Sequence, residues 1–271
     1  MDDQAGFHRP ALSMSAIAVH TSPAGALIER VAETEGIEIS LALLLCLVRS
    51  VKYWFDLRMP QLLLASTNAG KVAEFRRLLQ GCGWEIVTPI DLGLELSAEE
   101  TGGTYESNAR IKALAGVTVS GLVTIADDSG LEIEQMGGEP GVHSARFLGE
   151  GATYPERFAE IQRRLSGAPR DRRLARFVCV IAVADPRSGL VRTAQGEVRG
   201  MIAGEPRGEG GFGYDPIFWL PQESMTMAEL PEHQKDIISH RGRAAAVARQ
   251  ILRELLHEYR EDNSGYRREG R

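Results

Sequence analysis

The stretch Ala175–Ala184 (ARFVCVIAVA) limits what this chain can fold into more than any other. It is almost continuously apolar and rich in β-branched residues, which predicts a long strand. Asp185-Pro186-Arg187-Ser188-Gly189 follows, a turn sequence, and Leu190–Ile202 reads as the returning strand. So short a return forces antiparallel pairing. Elsewhere strand patterns alternate with helix patterns, so the expected fold is α/β on a mixed sheet.

The other elements follow from local signals. Leu62-Leu63-Leu64-Ala65 reads as a buried first strand and Trp84–Val87 as another. Lys71–Leu79 has helical spacing at Val72, Phe75, Leu78 and Leu79. Thr104 caps a helix expected to carry Ile111, Leu114 and Ala115 on its packed side. Leu122–Ala126 predicts a short buried strand that stops before two acidic residues. Pro155 suits a first helical turn, with Phe158, Ile161 and Leu165 behind it. Ser239 is expected to cap a last helix packed through Val247, Ile251, Leu252 and Leu255. Residues 1–58 carry no chemical motif and read as an N-terminal extension, with Met59 as the true or an alternative start. Residues 59–258 hold the chemistry, and 259–271 read as a frayed polar tail.

Charge and cysteine content narrow the function. The net charge of −6 argues against a general nucleic-acid binder, which needs a basic face. The apolar run Leu41–Val48 is far shorter than the roughly 20 residues of a spanning helix, so no membrane role is expected. Cys46, Cys82 and Cys179 are odd in number and lack metal-ligand or redox spacing, which points to a reducing, cytoplasmic setting.

Ser66-Thr67-Asn68-Ala69-Gly70-Lys71 links the first strand to a helix. Free N–H groups at a helix start, the dipole and the Lys71 charge favour an anion there. The stretch fails the Walker pattern, because Ala65 stands where its first glycine belongs and Val72 follows the lysine. Gly208-Glu209-Gly210-Gly211-Phe212-Gly213 fits the dinucleotide fingerprint, but Tyr214-Asp215-Pro216 after it is a poor helix start, so that reading is rejected. Its glycines let backbone approach a ligand, and Phe212 and Tyr214 offer flat surfaces for a base or simply pack in the core.

Asp127-Asp128-Ser129-Gly130 is the sharpest acidic motif. Adjacent strand side chains point oppositely, so one aspartate faces a site. We take Asp128 as metal ligand or base on a water and Asp127 as a turn or cap residue. Glu99-Glu100 is a second acidic loop, a helix-dipole partner or a metal-holding segment. Lys235 leads into His240 and Arg241 at a helix start. Positive residues there oppose the dipole, which makes a ligand a reasonable explanation. Both side chains can donate to a purine carbonyl oxygen.

Taken together and in this order, these segments, with Asn108-Ala109 and Pro140–Arg146, resemble the inosine triphosphate pyrophosphatase family over about Leu62–Leu256. The resemblance implies an elongated two-lobed α/β fold with a long twisted mixed sheet, a cleft between the lobes, and a homodimer. It implies hydrolysis of ITP, dITP and XTP to monophosphate and pyrophosphate with Mg2+. Ser66–Lys71 would bind the triphosphate. Asp128 would be base and metal ligand, Glu99 a second metal ligand, and Ser129 a substrate contact. Phe212, Gly213, Tyr214 and Asp215 would enclose the base, with Lys235, His240 and Arg241 completing the pocket. The alternatives are a pyrophosphatase for other modified nucleotides and a purine-nucleotide-binding protein that does not hydrolyse.

Overall fold

The computed structural model describes residues 59–265, so the expectations for 1–58 and for the end of the tail lie outside the described residues. Seven strands form one sheet in the order β2-β1-β3-β4-β5-β6-β7. β1 (Gln61–Leu64) pairs in parallel with β2 (Glu85–Val87) and with β3 (Val123–Ile133). β3 pairs antiparallel with β4 (Leu174–Ala184), and β4 with β5 (Val191–Ile202). β6 (Phe218–Leu220) and β7 (Met225–Thr226) continue the antiparallel side. The mixed sheet expected from the Asp185 turn is therefore present. Asp185 builds that turn by accepting from Arg187 N at 3.1 Å and from Ser188 Oγ at 2.9 Å.

The α-helices of the described residues are α1 (Ala69–Leu78), α2 (Tyr105–Ser120), α3 (Tyr154–Arg164), α4 (Glu232–Ile238) and α5 (His240–Gly265). The expected caps form. Thr104 and Ser107 make a reciprocal capping box; Pro155 lies in the first turn of α3 as expected, behind a second capping box of Thr153 and Glu156 that the sequence reading had not named. Ser239 Oγ accepts from Gly242 N at 3.0 Å and starts α5.

Two large hydrophobic clusters share the long strands. One gathers Leu62, Phe75, Ile125, Ile181 and Leu252. The other gathers Leu131, Ile161, Phe177, Val198 and Phe218. β3 and β4 feed both, because 11 residues span roughly 35 Å. A carboxylate midway along β3 is thus held from both ends.

Four expectations need correction. β3 does not stop before the acidic residues; it runs through them to Ile133. Its partner β4 is long enough to pair all of them, so ladder bonds outweigh the poor strand propensity of aspartate. α2 packs through Tyr105, Asn108, Ala109, Ala113 and Gly116, and Leu114 is 48% exposed. The helix lies so close that a Cβ on Gly116 would stand 2.6 Å from Thr124 Cγ2, a spacing only small residues allow. α5 packs through Ala244, Ala245, Ala248, Leu252 and Leu255, whereas Val247 is exposed. α5 also continues to Gly265, so residues 259–265 are helical. Tyr259 is anchored there by an edge contact to Trp84 at 5.2 Å and by Arg187 over its ring.

No α-helix starts directly after Gly213. A three-residue turn, Asp215–Ile217, leads directly into β6, in line with rejection of the dinucleotide fingerprint.

Candidate active site

The Ser66–Lys71 loop leaves β1 and enters α1. Ser66 Oγ accepts from Asn68 N at 3.3 Å, and Asn68 Oδ1 accepts from Lys71 N at 3.0 Å, so the loop is braced by its own side chains. Gly70 lies under the ring of Phe212: a Cβ there would come within 2.8 Å of the ring. The strand-to-helix loop and the glycine-rich loop therefore touch, and the absent side chain at Gly70 permits it.

Asp127 and Asp128 face opposite sides of β3, as the two-residue period demands. Asp127 is not a turn or cap residue. It is buried in the strand and ion-paired to Lys71 Nζ at 2.9 Å, with Arg241 Nε at 3.6 Å. Burial alone would raise its pKa, but the charges of Lys71, Arg241 and Lys112 outweigh it and hold the carboxyl far below its usual value. Asp128 is buried too, but burial wins there over the Lys112 charge and the Asn108 hydrogen bond, and its pKa is raised. The two neighbours thus differ in kind: Asp127 is a fixed anion, and Asp128 takes up a proton more readily.

Glu74 of α1, not singled out from the sequence, completes the charge balance. It is buried and pairs with Arg241 Nη1 at 2.6 Å and with the Lys235 ammonium. Lys235 also donates to Asp215 Oδ2 at 2.8 Å. Three carboxylates (Glu74, Asp127, Asp215) thereby face three cations (Lys71, Lys235, Arg241). The positive residues at the start of α5 are compensated by Glu74 and Asp127, so their placement does not in itself require a ligand. His240 adds no charge, because burial and the nearby Arg241 and Lys235 lower its pKa well below 6.5.

Arg241 is tied down by Glu74 and by Ser129 Oγ at 3.0 Å, and Ser129 donates to Asp127. His240 stacks on Phe177, with centroids 4.6 Å apart, and its Nδ1 is buried without a hydrogen-bond partner among the described residues. Phe212 is half-buried, with Lys235 Nζ 5.3 Å and Arg241 Cζ 5.2 Å from its centroid. Asp215 accepts from Phe212 N at 2.9 Å across the turn at Gly211, whose φ is +70°. Tyr214 is mainly core: its ring meets Tyr154 edge-on and its hydroxyl donates to Ser144 O.

One cavity is walled by Asn68, Lys71, Asp128, Ser129, Phe212, Gly213, Tyr214, Asp215, His240 and Arg241. An adjoining one is walled by Ser66, Thr67, Asp127 and Lys112 and shares Asn68, Lys71 and Glu100 with the first. Lys235 walls neither; it stands behind Asp215. A larger cavity around Glu132, Arg176 and Arg199 contains none of this chemistry. In the acidic loop Glu99 is exposed and on no wall of these cavities, while Glu100 walls both. Successive residues of this extended loop alternate in exposure, which puts Glu100 inward. Lys112 Nζ lies 2.8 Å from Glu100 Oε1 and 3.3 Å from Asp128 Oδ1. Asn108 donates to Asp128 Oδ2 at 3.1 Å and accepts from Gly102 N at 2.8 Å, fixing the acidic loop to the strand.

The model of the Ham1 family matches residues 62–251, the span that carries every element of this site. The chain belongs to the Ham1 family. A dITP/XTP pyrophosphatase of Desulforamulus reducens is 46% identical over 195 residues, 72% of this chain and 96% of that relative. The dITP/XTP pyrophosphatase of Escherichia coli K12 is 44% identical over 198 residues, 72% of this chain and 99% of its own. Among solved structures, a HAM1 protein from Coxiella burnetii is 40% identical with a TM-score of 0.66, covering 72% of this chain and all of that one. The Staphylococcus aureus Ham1 protein is 37% identical with a TM-score of 0.64, covering 71% and 97%. The mixed sheet flanked by helices is the Ham1 architecture.

Within this Ham1 chain, sequence reasoning missed Glu74, Asn108 and Lys112 as site residues. Each sits on a helix, three or four residues from another group of the site: Glu74 follows Lys71 by three, and Lys112 follows Asn108 by four. That spacing was the available signal.

The neutral His240 has a measurable consequence. An unfolded histidine gains a proton below pH 6.5, and the folded one does not until its lowered pKa is reached. The unfolded state therefore binds more protons in that window, so stability falls with pH by about 1.4 kcal/mol per pH unit below 6.5. His240→Phe, which keeps a ring on Phe177, is expected to remove one proton's worth of slope. Urea unfolding at pH 5.0 and 7.0 measures it; an unchanged slope would mean that His240 is charged in the fold.

Proposed function

We propose that this Ham1 protein hydrolyses the non-canonical purine nucleoside triphosphates ITP, dITP and XTP to monophosphate and pyrophosphate, clearing deaminated purines from the nucleotide pool. The observation that carries the reading is one cavity shared by Asp128, the phosphate-loop cation Lys71, the Phe212 ring and the uncharged His240. The names of the relatives supply the substrate class.

The residues divide the work by position. Ser66–Lys71 hold the phosphate chain, and Lys71, anchored by Asp127, meets charge developing on its oxygens. Asp128 takes the proton of a water directed at the α-phosphorus, and its raised pKa suits it to receive one. Phe212 covers the base. Arg241, held by Glu74 and Ser129, offers only donors, so a six-position carbonyl is accepted. The adenine amino group in that place would leave two donors facing each other, a penalty of about 1–3 kcal/mol.

The residues fit Mg2+. Among the described residues no cluster of three or more metal-ligating side chains exists. Mg2+ asks for less: one or two carboxylates, with substrate phosphates and water completing the shell. Asp128 and the acidic loop supply these, and the placement of Glu100 favours it over Glu99. When bound, the ion would neutralise phosphate charge and polarise the scissile bond. A homodimer rests on the family resemblance alone. Free, buried Cys82 and Cys179 support a reducing, cytoplasmic setting, and no described helix is long and apolar enough to cross a membrane.

Turnover of ITP, dITP, XTP, GTP, ATP and a panel of modified pyrimidine nucleotides with Mg2+, with pyrophosphate and phosphate measured separately, tests the proposal. Pyrophosphate from the first three at rates well above ATP supports it. Orthophosphate release sinks it, preference for modified pyrimidines favours the other pyrophosphatase reading, and binding without turnover favours the non-hydrolytic one.

A further inference from the structure

Lys112 is a cation between two carboxylates that a divalent ion would also join. Its ammonium touches both Glu100 and Asp128, and its side chain and that of Asp128 are 13% and 8% exposed. We propose that Lys112 occupies the cation position between Asp128 and Glu100 in the nucleotide-free protein and is displaced from it by the divalent ion that arrives with the substrate; this rests on the metal reading proposed for the site.

Three features carry the inference. First, the carboxylates are held together by something other than Lys112. Asn108 bonds Asp128 on one side and the backbone of Gly102, two residues beyond Glu100, on the other. The pair therefore stays in place when the lysine leaves, and needs a positive charge whether or not a metal is present. Second, the two cations exclude each other. Mg2+ needs oxygens at about 2.0–2.1 Å, and an ammonium bonded to the same carboxylates stands in that space. Third, Lys112 has somewhere to go. It walls the cavity that Ser66, Thr67, Asn68 and Lys71 also wall, and its four-carbon stem can swing without moving α2. Phosphate in that cavity gives the displaced ammonium a new anionic partner. Metal and nucleotide binding are then coupled: metal alone must break the Lys112 contacts uncompensated, while metal with nucleotide need not.

Mn2+ is the probe, titrated by electron paramagnetic resonance into wild type, Lys112→Met, Lys112→Arg and Asp128→Asn, with and without an α,β-methylene analogue of ITP. Lys112→Met is expected to bind Mn2+ alone about tenfold more tightly than wild type, the equivalent of one part-buried ion pair no longer broken. The gap should shrink when the analogue is present. Lys112→Arg, which keeps the cation, should bind as weakly as wild type. Without metal Lys112→Met should melt below wild type, and Mn2+ should restore it. Equal or weaker Mn2+ binding by Lys112→Met overturns the exchange while leaving the metal site intact. Equal binding by Asp128→Asn and wild type in the presence of analogue overturns the metal reading itself, and this inference with it. If Lys112→Met does not fold, Lys112→Gln is read by the same criteria.

Discussion

Asp128→Asn is expected to lower kcat by about 10²–10⁴-fold, the range for loss of a general base, without lowering stability. The two halves have one cause. Burial raises the pKa of Asp128, so the fold disfavours its ionised form, and at neutral pH that charge is a cost to the native state. A neutral amide of the same shape removes the cost and the base together. The melting temperature should be equal to or higher than that of wild type while pyrophosphate release collapses. Retained turnover would assign the base elsewhere. A lost fold would mean that the Lys112 contact, not burial, dominates at this position.

Glu74→Ala should have the largest effect on stability, about 3–5 kcal/mol by urea unfolding, the cost of breaking a buried ion pair from one side. Among the described residues, Glu74 is the only carboxylate ion-paired with both Lys235 and Arg241. Its removal leaves those two cations with Asp215 and Asp127 alone, and three positive charges against two negative ones in a largely dry setting. The pKa of Glu74 is lowered despite its burial, because Arg241 and Lys235 outweigh desolvation. The carboxylate is thus favoured in the fold, the reverse of Asp128. A loss under about 1 kcal/mol would mean that the cluster rearranges around the gap.

The acidic strand, the two loops and the basic residues Lys71, Lys235, His240 and Arg241 of the candidate site were legible in the sequence, whereas Glu74 of α1 and Asn108 and Lys112 of α2 were given no role there. Asp128 announces itself as an acidic residue after an apolar strand run, Lys71 as a basic residue where a loop enters a helix, and Phe212 as an aromatic residue among glycines. The apolar run before Asp127 marked a strand, but not its continuation, because strand propensity is low at Asp127, Asp128, Ser129 and Gly130 while the pairing that overrides it comes from β4. Glu74 reads as an ordinary helix glutamate; only the approach of α4 and α5 from a point about 160 residues later in the chain buries it. Asn108 was marked only as part of the resemblance, and Lys112 was not singled out, for a different reason. The packed face of α2 was assigned by side-chain size, and Leu114 drew the assignment away from the small residues, Ala109, Ala113 and Gly116, that let the helix come near the sheet. For Tyr214 the sequence left a surface for a base and core packing both open; its ring meets Tyr154 and its hydroxyl bonds Ser144, while the residue still walls the cavity.

The back-to-back arrangement of Asp127 and Asp128 also sets rules for how the gene can change. Sliding β3 by one residue against β4 would turn the fixed anion toward Asn108 and Lys112 and the proton acceptor toward Lys71 and Arg241. Both cation sets would then meet the wrong carboxylate, although composition and hydrophobicity would hardly alter. A single-codon insertion or deletion between Val123 and Ile133 should therefore be lethal to function in a way that most substitutions there are not. Length variation can be absorbed instead in a connection such as Glu150–Ala152, ahead of the Thr153 cap, where no strand pairing sets such a parity.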